Sequence, residues 1–133
     1  MENRYNSLQR YEIPKVEHRG ISIDQLESVY GEIVLRCVKE GWTNSNGENL
    51  IPEKVTLYDI KVRIIMSRTN EFECSYVELI AESDQVPTWF VSHWWGEPVI
   101  GMIKCLKQHA KDRKLDFKKS FYWICVSYIV HHS

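Results

Sequence analysis

The sequence predicts a single α/β domain, and three observations support this fold class. The chain has 133 residues, a length that fits one domain. An apolar stripe at helical spacing follows Ser22, which predicts an amphipathic helix. Two apolar segments of strand type, near residues 88–95 and 121–130, flank a second amphipathic stretch. We therefore expect N-terminal helices followed by a strand–helix–strand unit, with a hydrophobic fraction of 44% to build the core.

Composition narrows the classes of protein to which the chain could belong. The N-terminal residues are polar, and no apolar run approaches the ~20 residues that span a bilayer, so we expect a soluble cytoplasmic protein without a membrane partner. Four scattered cysteines form no CxxC pair, which favours buried thiols over disulfides. The net charge of −1 argues against a nucleic-acid partner. Residues 101–120 still carry +5, either as a solvated helix face or as a surface for an anionic partner.

The predicted organisation is an arm followed by one domain. Residues 1–20 are polar and are punctuated by Pro14 and Gly20, so they are expected to form an irregular N-terminal arm. Residues 21–133 form the α/β domain, with a helical part at 21–85 and the strand–helix–strand part at 86–133.

The first helix has recognisable start and stop signals. Ser22 is a good N-cap, and Gln25 stands three residues later, as a capping box requires. Gly41 ends the helix. The expected apolar stripe consists of Ile23, Leu26, Val29, Tyr30, Ile33, Val34, Cys37 and Val38.

The region from 43 to 85 is less regular. A turn-rich loop surrounds Asn46-Gly47, and a second helix starts either with Pro52 in its first turn or with Thr56 as its cap. Asn70 is expected to break this helix. Residues 74–82 are apolar-rich, and their pattern fits a helix or a strand.

Residues 86–133 predict a βαβ unit. A strand begins at Thr88, Pro98 occupies the first position of a helix, and a second strand covers 121–130. The buried face of the helix is expected to carry Val99, Ile100, Ile103, Leu106 and Ala110. Strands connected in this way are parallel and adjacent, and their continuous apolar character indicates burial on both faces.

The candidate site is the end of the first of these strands, because ligands of parallel α/β units bind beyond the carboxyl ends of the strands. The residues there are Ser92, His93, Trp94, Trp95, Gly96 and Glu97. Indole rings for stacking, hydroxyl groups and the N–H groups of the following helix would suit a nucleotide. Core and turn packing is the plainer explanation of the same aromatic residues. His93, Ser92 and Glu97 are the candidate catalytic residues.

Other combinations of reactive residues give weaker evidence for a functional site. Cys105 and His109 have metal-ligand spacing on a helix, but no second pair accompanies them, so no metal is expected. Cys74, Ser92 and His93 could supply a nucleophile and a base, although nothing in the sequence fixes their geometry. The chain has no Walker loop, GxGxxG, HExxH or GxSxG motif, so we expect binding rather than catalysis and no cofactor.

Several segments together resemble a family of uncharacterised proteins from unicellular eukaryotes. The Ser-His-Trp-Trp-Gly-Glu-Pro sequence at 92–98 is the most specific of these, and the resemblance covers roughly residues 19–125. The other segments are Leu57-Tyr58-Asp59, residues 74–79, His109-Ala110 and Tyr122-Trp123-Ile124-Cys125.

More distantly, the order strand, Ser-His-x-Trp-Gly, helix, Tyr-x-Trp resembles heterokaryon-incompatibility and Toll/interleukin-1-receptor-like domains. This resemblance implies the start of a flavodoxin-like parallel sheet, and either self-association or NAD cleavage. The NAD-cleaving relatives carry their catalytic Glu in a part without a counterpart here. We therefore expect a protein-interaction or signalling domain that binds itself or another protein.

Two alternatives stay open. One is a nucleotide-binding or NAD-processing enzyme that uses Ser92–Glu97. The other is a truncated product without independent function, because two strands alone leave sheet edges that the N-terminal helices or another chain must cover.

Overall fold

The structure, a computed structural model, describes residues 11–72, 74–92 and 95–124. It contains the helices α1 (Ile23–Lys39), α2 (Leu57–Ile60), α3 (Met66–Phe72), α4 (Tyr76–Ile80) and α5 (Val99–Asp112), and the strands β1 (Ile21–Ser22), β2 (Trp89–Val91) and β3 (Phe121–Ile124). Short 3-10 turns lie at Val16–His18 and Pro52–Lys54, and a π-helical segment, Lys61–Ile65, joins α2 to α3. None of the helices described is long and apolar enough to cross a membrane.

Helix α1 begins and ends as the sequence predicts. The hydroxyl of Ser22 accepts a hydrogen bond from the backbone of Gln25, and the Gln25 side chain accepts one from the backbone of Ser22, which completes the capping box. Gly41 follows the helix with a φ of 64°, a conformation that glycine adopts without strain.

The predicted apolar stripe of α1 is wrong at two positions. Val34 and Val38 are 49% and 72% exposed, whereas the other apolar residues of the stripe are buried or partly buried. The buried residues are Ile23, Leu26, Val29, Ile33 and Cys37, which are spaced at three and four and form one face. Val34 and Val38 each follow a buried residue directly and therefore point away from the core.

Of the two alternative starts predicted for the second helix, the structure has the one at Thr56. Pro52 lies in the first turn of the 3-10 segment, and Thr56 caps α2 through a reciprocal bond with Asp59. The prediction that Asn70 breaks the helix is wrong, because α3 continues through it to residue 72. The π-helical segment between α2 and α3 has more residues per turn than an α-helix. This change of spacing accounts for the mixed apolar periodicity of the region.

The ambiguous segment at 74–82 contains a helix, α4. Ser75 caps it, and Glu78 at the third helical position bonds back to the Ser75 backbone at 3.0 Å. Local capping therefore selects a helix where the apolar pattern alone does not.

The sheet is mixed and has the strand order β1-β3-β2. Strands β2 and β3 are parallel and adjacent, as predicted, with Phe90 opposite Trp123. Strand β1 pairs antiparallel with the other edge of β3, with Ile21 opposite Tyr122. The predicted α/β class is confirmed, and the residues just before α1 cover one of the two edges that β2 and β3 would otherwise expose.

The two faces of the sheet differ, so the prediction of burial on both faces is wrong. On one face, Tyr122 and Ile124 are buried, and Trp89 and Tyr122 contact His109 of α5. On the other face Phe90 is 72% exposed, and its ring lies 5.7 Å from the ring of Trp123. Strand β2 therefore alternates between core and surface instead of being enclosed.

The described part of the predicted arm lies against the body of the domain. Ile13 is fully buried, and the indole N–H of Trp123 donates to the carbonyl of Val16 at 3.1 Å. Gly20 continues the arm into β1 and lies against Gln85, to whose carbonyl it donates at 2.7 Å. The arm is irregular in backbone conformation, as predicted, but is held by buried contacts.

Candidate functional site

The residues singled out by the sequence follow β2 directly. Ser92 is exposed at the carboxyl end of the strand, and Trp95, Gly96 and Glu97 form the turn that leads into α5. His93 and Trp94 lie outside the described residues. The structure therefore locates four of the six predicted site residues at one end of β2.

The turn is fixed to the second helical region. The backbone N–H of Val99 donates to the carbonyl of Val55 at 2.8 Å, and Thr56 pairs with Pro98 in an isolated antiparallel bridge. The first N–H of α5 is consequently engaged by the protein. The same bonds place the start of α2 beside Trp95.

Trp95 is the centre of a small aromatic and cationic cluster. Its ring lies 5.2 Å from the ring of Tyr58, tilted by 55°, and the ammonium of Lys61 lies 5.2 Å from the Trp95 ring centroid. An aromatic pair in this geometry and a cation over an indole are both attractive. Trp95 is partly buried, and these two contacts hold its ring in place.

Glu97 lies against the first turn of α5. A Cβ added to Gly101 would come within 3.2 Å of its carboxylate oxygen, so the glycine provides the space that this side chain occupies. Gly101 therefore allows the turn to close tightly on the helix.

The predicted site did not include Tyr58 and Lys61, which contact Trp95, or Val62, which follows Lys61 in the chain. Tyr58 and Val62 are 57% and 68% exposed, and Lys61 contacts Trp95. We call Tyr58, Lys61, Val62 and Trp95 the docking surface. Their spacing in the sequence could have grouped Tyr58, Lys61 and Val62, because residues three and four apart lie on one side of a helix.

A cleft of about 640 Å³ lies elsewhere, near the amino ends of β2 and β3. The amides of Gln25 and Gln85 bond reciprocally in its wall, with both distances 2.8 Å, and Gln85 also donates to the carbonyl of Gly20. The lining residues are Ser22, Asp24, Gln25, Ser28, Leu79, Ile80, Ala81, Glu82, Ser83, Gln85, Lys118 and Phe121. The buried amides of this wall bond each other and the backbone.

His109 has a structural partner. Its Nδ1 lies 2.9 Å from the hydroxyl of Tyr122, and its ring meets the edge of Trp89 at 5.0 Å, so it joins α5 to the sheet. Cys105 is exposed one turn earlier. Within residues 11–72, 74–92 and 95–124, no three His, Cys, Asp or Glu side chains are grouped so that they could hold a metal ion.

The described residues do not bring the predicted nucleophile and base together. Cys74 is buried, and its backbone N–H donates to the carbonyl of Thr69 at 3.1 Å. Ser92 is exposed at the end of β2. The third member, His93, lies outside the described residues.

Searches against protein-family models, curated proteins and solved structures find no match for this chain. The resemblance to Toll/interleukin-1-receptor-like domains and to the family with the Ser-His-Trp-Trp-Gly-Glu-Pro sequence therefore stays a prediction.

Proposed function

We propose that this chain is a protein-interaction domain of Toll/interleukin-1-receptor-like type that binds a partner through the docking surface of Tyr58, Lys61, Val62 and Trp95. The observation that supports this most directly is the contact of Trp95 with Tyr58, a side chain that is more than half exposed. Aromatic residues that are held rigidly and remain accessible are the typical anchors of protein interfaces.

The docking surface is preorganised by local capping. Thr56 caps α2 two residues before the surface begins, and its reciprocal bond with Asp59 fixes the turn that carries Tyr58. Lys61 starts the π-helical segment, a feature that is frequent at functional sites. Because the cap fixes the backbone that carries Tyr58, the domain would lose less conformational entropy when it binds a partner.

Exposure of Tyr58 and Val62 to water also favours binding. Burying apolar area contributes roughly 25 cal/mol per Å², so a partner that covers these side chains gains free energy that the isolated domain forgoes. These side chains favour a partner segment that presents an apolar or aromatic residue to them.

The test is selection of a random-sequence peptide display library on the purified chain, followed by anisotropy titration of the selected peptides. We expect micromolar peptides whose affinity falls at least 10-fold in the Trp95→Ala and Tyr58→Ala variants, the loss typical of an interface anchor. Ile51→Ala is the matched control, because Ile51 is 48% exposed and stands outside the docking surface.

Two outcomes would contradict the proposal. One is a set of selected peptides that bind the Trp95→Ala, Tyr58→Ala and control variants equally well. The other is a thermal shift of several degrees with NAD, ATP or ADP-ribose while no peptide is enriched, since a ligand at 100 times its dissociation constant adds about 2.7 kcal/mol. That second result would establish the nucleotide-site alternative.

A further inference from the structure

The wall of the cleft near the amino ends of β2 and β3 contains two side-chain amides that bond each other, those of Gln25 and Gln85. A carboxamide can donate two hydrogen bonds from its nitrogen and accept two at its oxygen. Oε1 of Gln25 accepts from the backbone N–H of Ser22 at 3.0 Å and from Nε2 of Gln85 at 2.8 Å, so both of its positions are filled. Nε2 of Gln85 also donates to the carbonyl of Gly20 at 2.9 Å, which uses both of its N–H groups.

The other two atoms of the pair each keep one hydrogen-bonding position. Among the described residues, Nε2 of Gln25 bonds only Oε1 of Gln85, at 2.8 Å, and that oxygen accepts no second bond. Because these atoms are the two ends of one hydrogen bond, the second N–H and the second lone pair lie side by side. In a ring of two reciprocal amide bonds they point away from the backbone groups that fill the opposite side. We call this N–H and lone pair the amide edge.

Backbone contacts fix the orientation of both amides. The N–H of Ser22 can only donate and the carbonyl of Gly20 can only accept, so exchanging nitrogen and oxygen in either amide would break these bonds. Gln25 belongs to the capping box of α1. The backbone of Gln85 donates to the carbonyl of His18 at 3.0 Å and accepts from Gly20 at 2.7 Å. The amide edge is therefore preorganised, which lowers the entropic cost of binding a ligand there.

The rest of the lining determines which kind of ligand fits. Leu79 and the partly buried ring of Phe121 provide an apolar surface for a flat body. The charged lining residues are the carboxylates of Asp24 and Glu82 and the ammonium of Lys118, so negative charge exceeds positive and an anionic ligand is disfavoured. The volume of about 640 Å³ lies within the roughly 300–1,000 Å³ of small-molecule sites.

We propose that this cleft binds an uncharged planar ligand that presents an N–H donor beside an acceptor, the edge that primary carboxamides and aminopurine bases share. The N–H of the ligand donates to Oε1 of Gln85, its acceptor receives the second N–H of Gln25, and its ring packs against Phe121. The cleft is separate from the docking surface, so this binding does not depend on the proposed partner.

The test is a nitrogen-15 NMR titration of the full chain with benzamide and with adenine, each up to 5 mM. We expect binding of at least one of them with a dissociation constant on the order of 1 mM, and a shift of the side-chain NH₂ signals of Gln25. Acetophenone and 6-methylpurine are the matched ligands, because a methyl group of similar size replaces the amino group. They should bind at least 10-fold more weakly, since they leave the lone pair of Gln85 without a donor. Binding of benzamide alone would assign the site to carboxamides, and binding of adenine alone to aminopurines.

Two variants locate the binding in the cleft. Ser28 is exposed in the lining, so Ser28→Trp should fill part of the cleft without disturbing the core and weaken binding at least 10-fold. Gln25→Glu keeps a capping residue at this position but removes the donor of the amide edge, and it should weaken binding to a similar extent. The matched controls are Ser45→Trp and Gln108→Glu, which make the same changes at exposed positions outside the cleft and should bind like the wild type.

Three outcomes would overturn the proposal. The first is the absence of any shift with benzamide or adenine at 5 mM. The second is equal affinity for each ligand and its methyl counterpart. The third is wild-type affinity in Ser28→Trp or in a folded Gln25→Glu protein. The ligand comparison and Ser28→Trp decide the question even where Gln25→Glu fails to fold.

Discussion

The carboxylate of Glu78 accepts a hydrogen bond at 2.9 Å from the backbone N–H of Ile13, a residue 65 positions earlier in the chain. Its other oxygen accepts from the backbone and hydroxyl of Ser75 and lies 3.5 Å from the guanidinium of Arg19. Glu78 is only 4% exposed, so one buried carboxylate both caps α4 and holds the N-terminal arm.

Glu78→Gln should destabilise the domain. The amide cannot balance the charge of Arg19 and leaves at least one donor without an acceptor in a buried place, which costs about 2–4 kcal/mol. Urea unfolding at pH 7 measures the change, with the exposed Glu71→Gln as the control expected within 0.5 kcal/mol. Equal midpoints for the two variants would show that the carboxylate does not hold the arm.

Substitution by alanine should change the stability of the domain in opposite directions at two glycines. A Cβ at Gly20 would lie 2.7 Å from the carbonyl oxygen of Gln85 and 2.9 Å from Cβ of Phe121, so Gly20→Ala should cost about 1–3 kcal/mol. Gly31→Ala should instead stabilise the domain by about 0.5–1 kcal/mol, because alanine favours a helix interior and nothing obstructs its methyl group. Thermal unfolding at 5 µM compares the two, and a destabilised Gly31→Ala would contradict this description of α1.

Glu40 should remain ionised in unusually acidic solution. The Arg36 guanidinium, and then the Trp42 indole N–H, bond its carboxylate and lower the pKa from 4.5 to about 2. Because the folded pKa is the lower one, the stabilising contribution is complete above about pH 4.5 and is lost as the pH falls toward 2.

Carbon-detected NMR titration of the side-chain carboxyl group measures this pKa directly. Arg36→Ala should raise the pKa of Glu40 toward its ordinary value, while Arg113→Ala, on a different element, should leave it unchanged. A wild-type carboxyl that titrates near 4.5 would mean that the bond to Arg36 does not persist in solution.

Tyr122 should make the domain sensitive to alkaline pH. Burial raises the pKa of its phenol above 10.0, and Arg113 opposes this only in part. The folded state therefore holds the proton more tightly than the unfolded chain, so the contribution is complete below pH 10 and declines as the pH rises through the folded pKa.

Tyr122→Phe separates this effect from the other titrations. The variant loses the hydrogen bond to His109 and about 1 kcal/mol at pH 8, but should lose less stability than the wild type between pH 10 and 11. Urea unfolding at both pH values gives the comparison. Parallel losses in the two proteins would assign the alkaline sensitivity to other groups.

Local signals in the sequence were sufficient to predict where a helix starts when a capping residue fixes that start. Ser22 and Gln25 identified the start of α1 correctly, and Thr56 did the same for α2, because a capping box involves residues only three apart. The parallel pairing of β2 and β3 was also predictable, since a short helix between two apolar segments has few ways to connect them.

Features that depend on distant contacts could not be predicted in this way. Val34 and Val38 continue the helical spacing of the apolar residues, and only the packing of the rest of the chain decides that they face water. The two residues of β1 are too few to give a pattern, and the approach of Tyr58 to Trp95 requires the bridge between Thr56 and Pro98.

The position of β3 in the sheet affects how the protein can fold during its synthesis on the ribosome. Of the three described strands, β3 is the last in sequence but lies between the other two. A ribosome that adds 5–20 residues per second needs roughly 5–20 s to travel from Ile21 to Phe121. During that interval β1 lacks its neighbour, and β2, which is made later, lacks it for a shorter time. Helix α1, whose cap is local, can already form in the emerging chain. The sheet, by contrast, can assemble only after β3 has left the ribosome, so β1 is the strand that stays unpaired longest during synthesis.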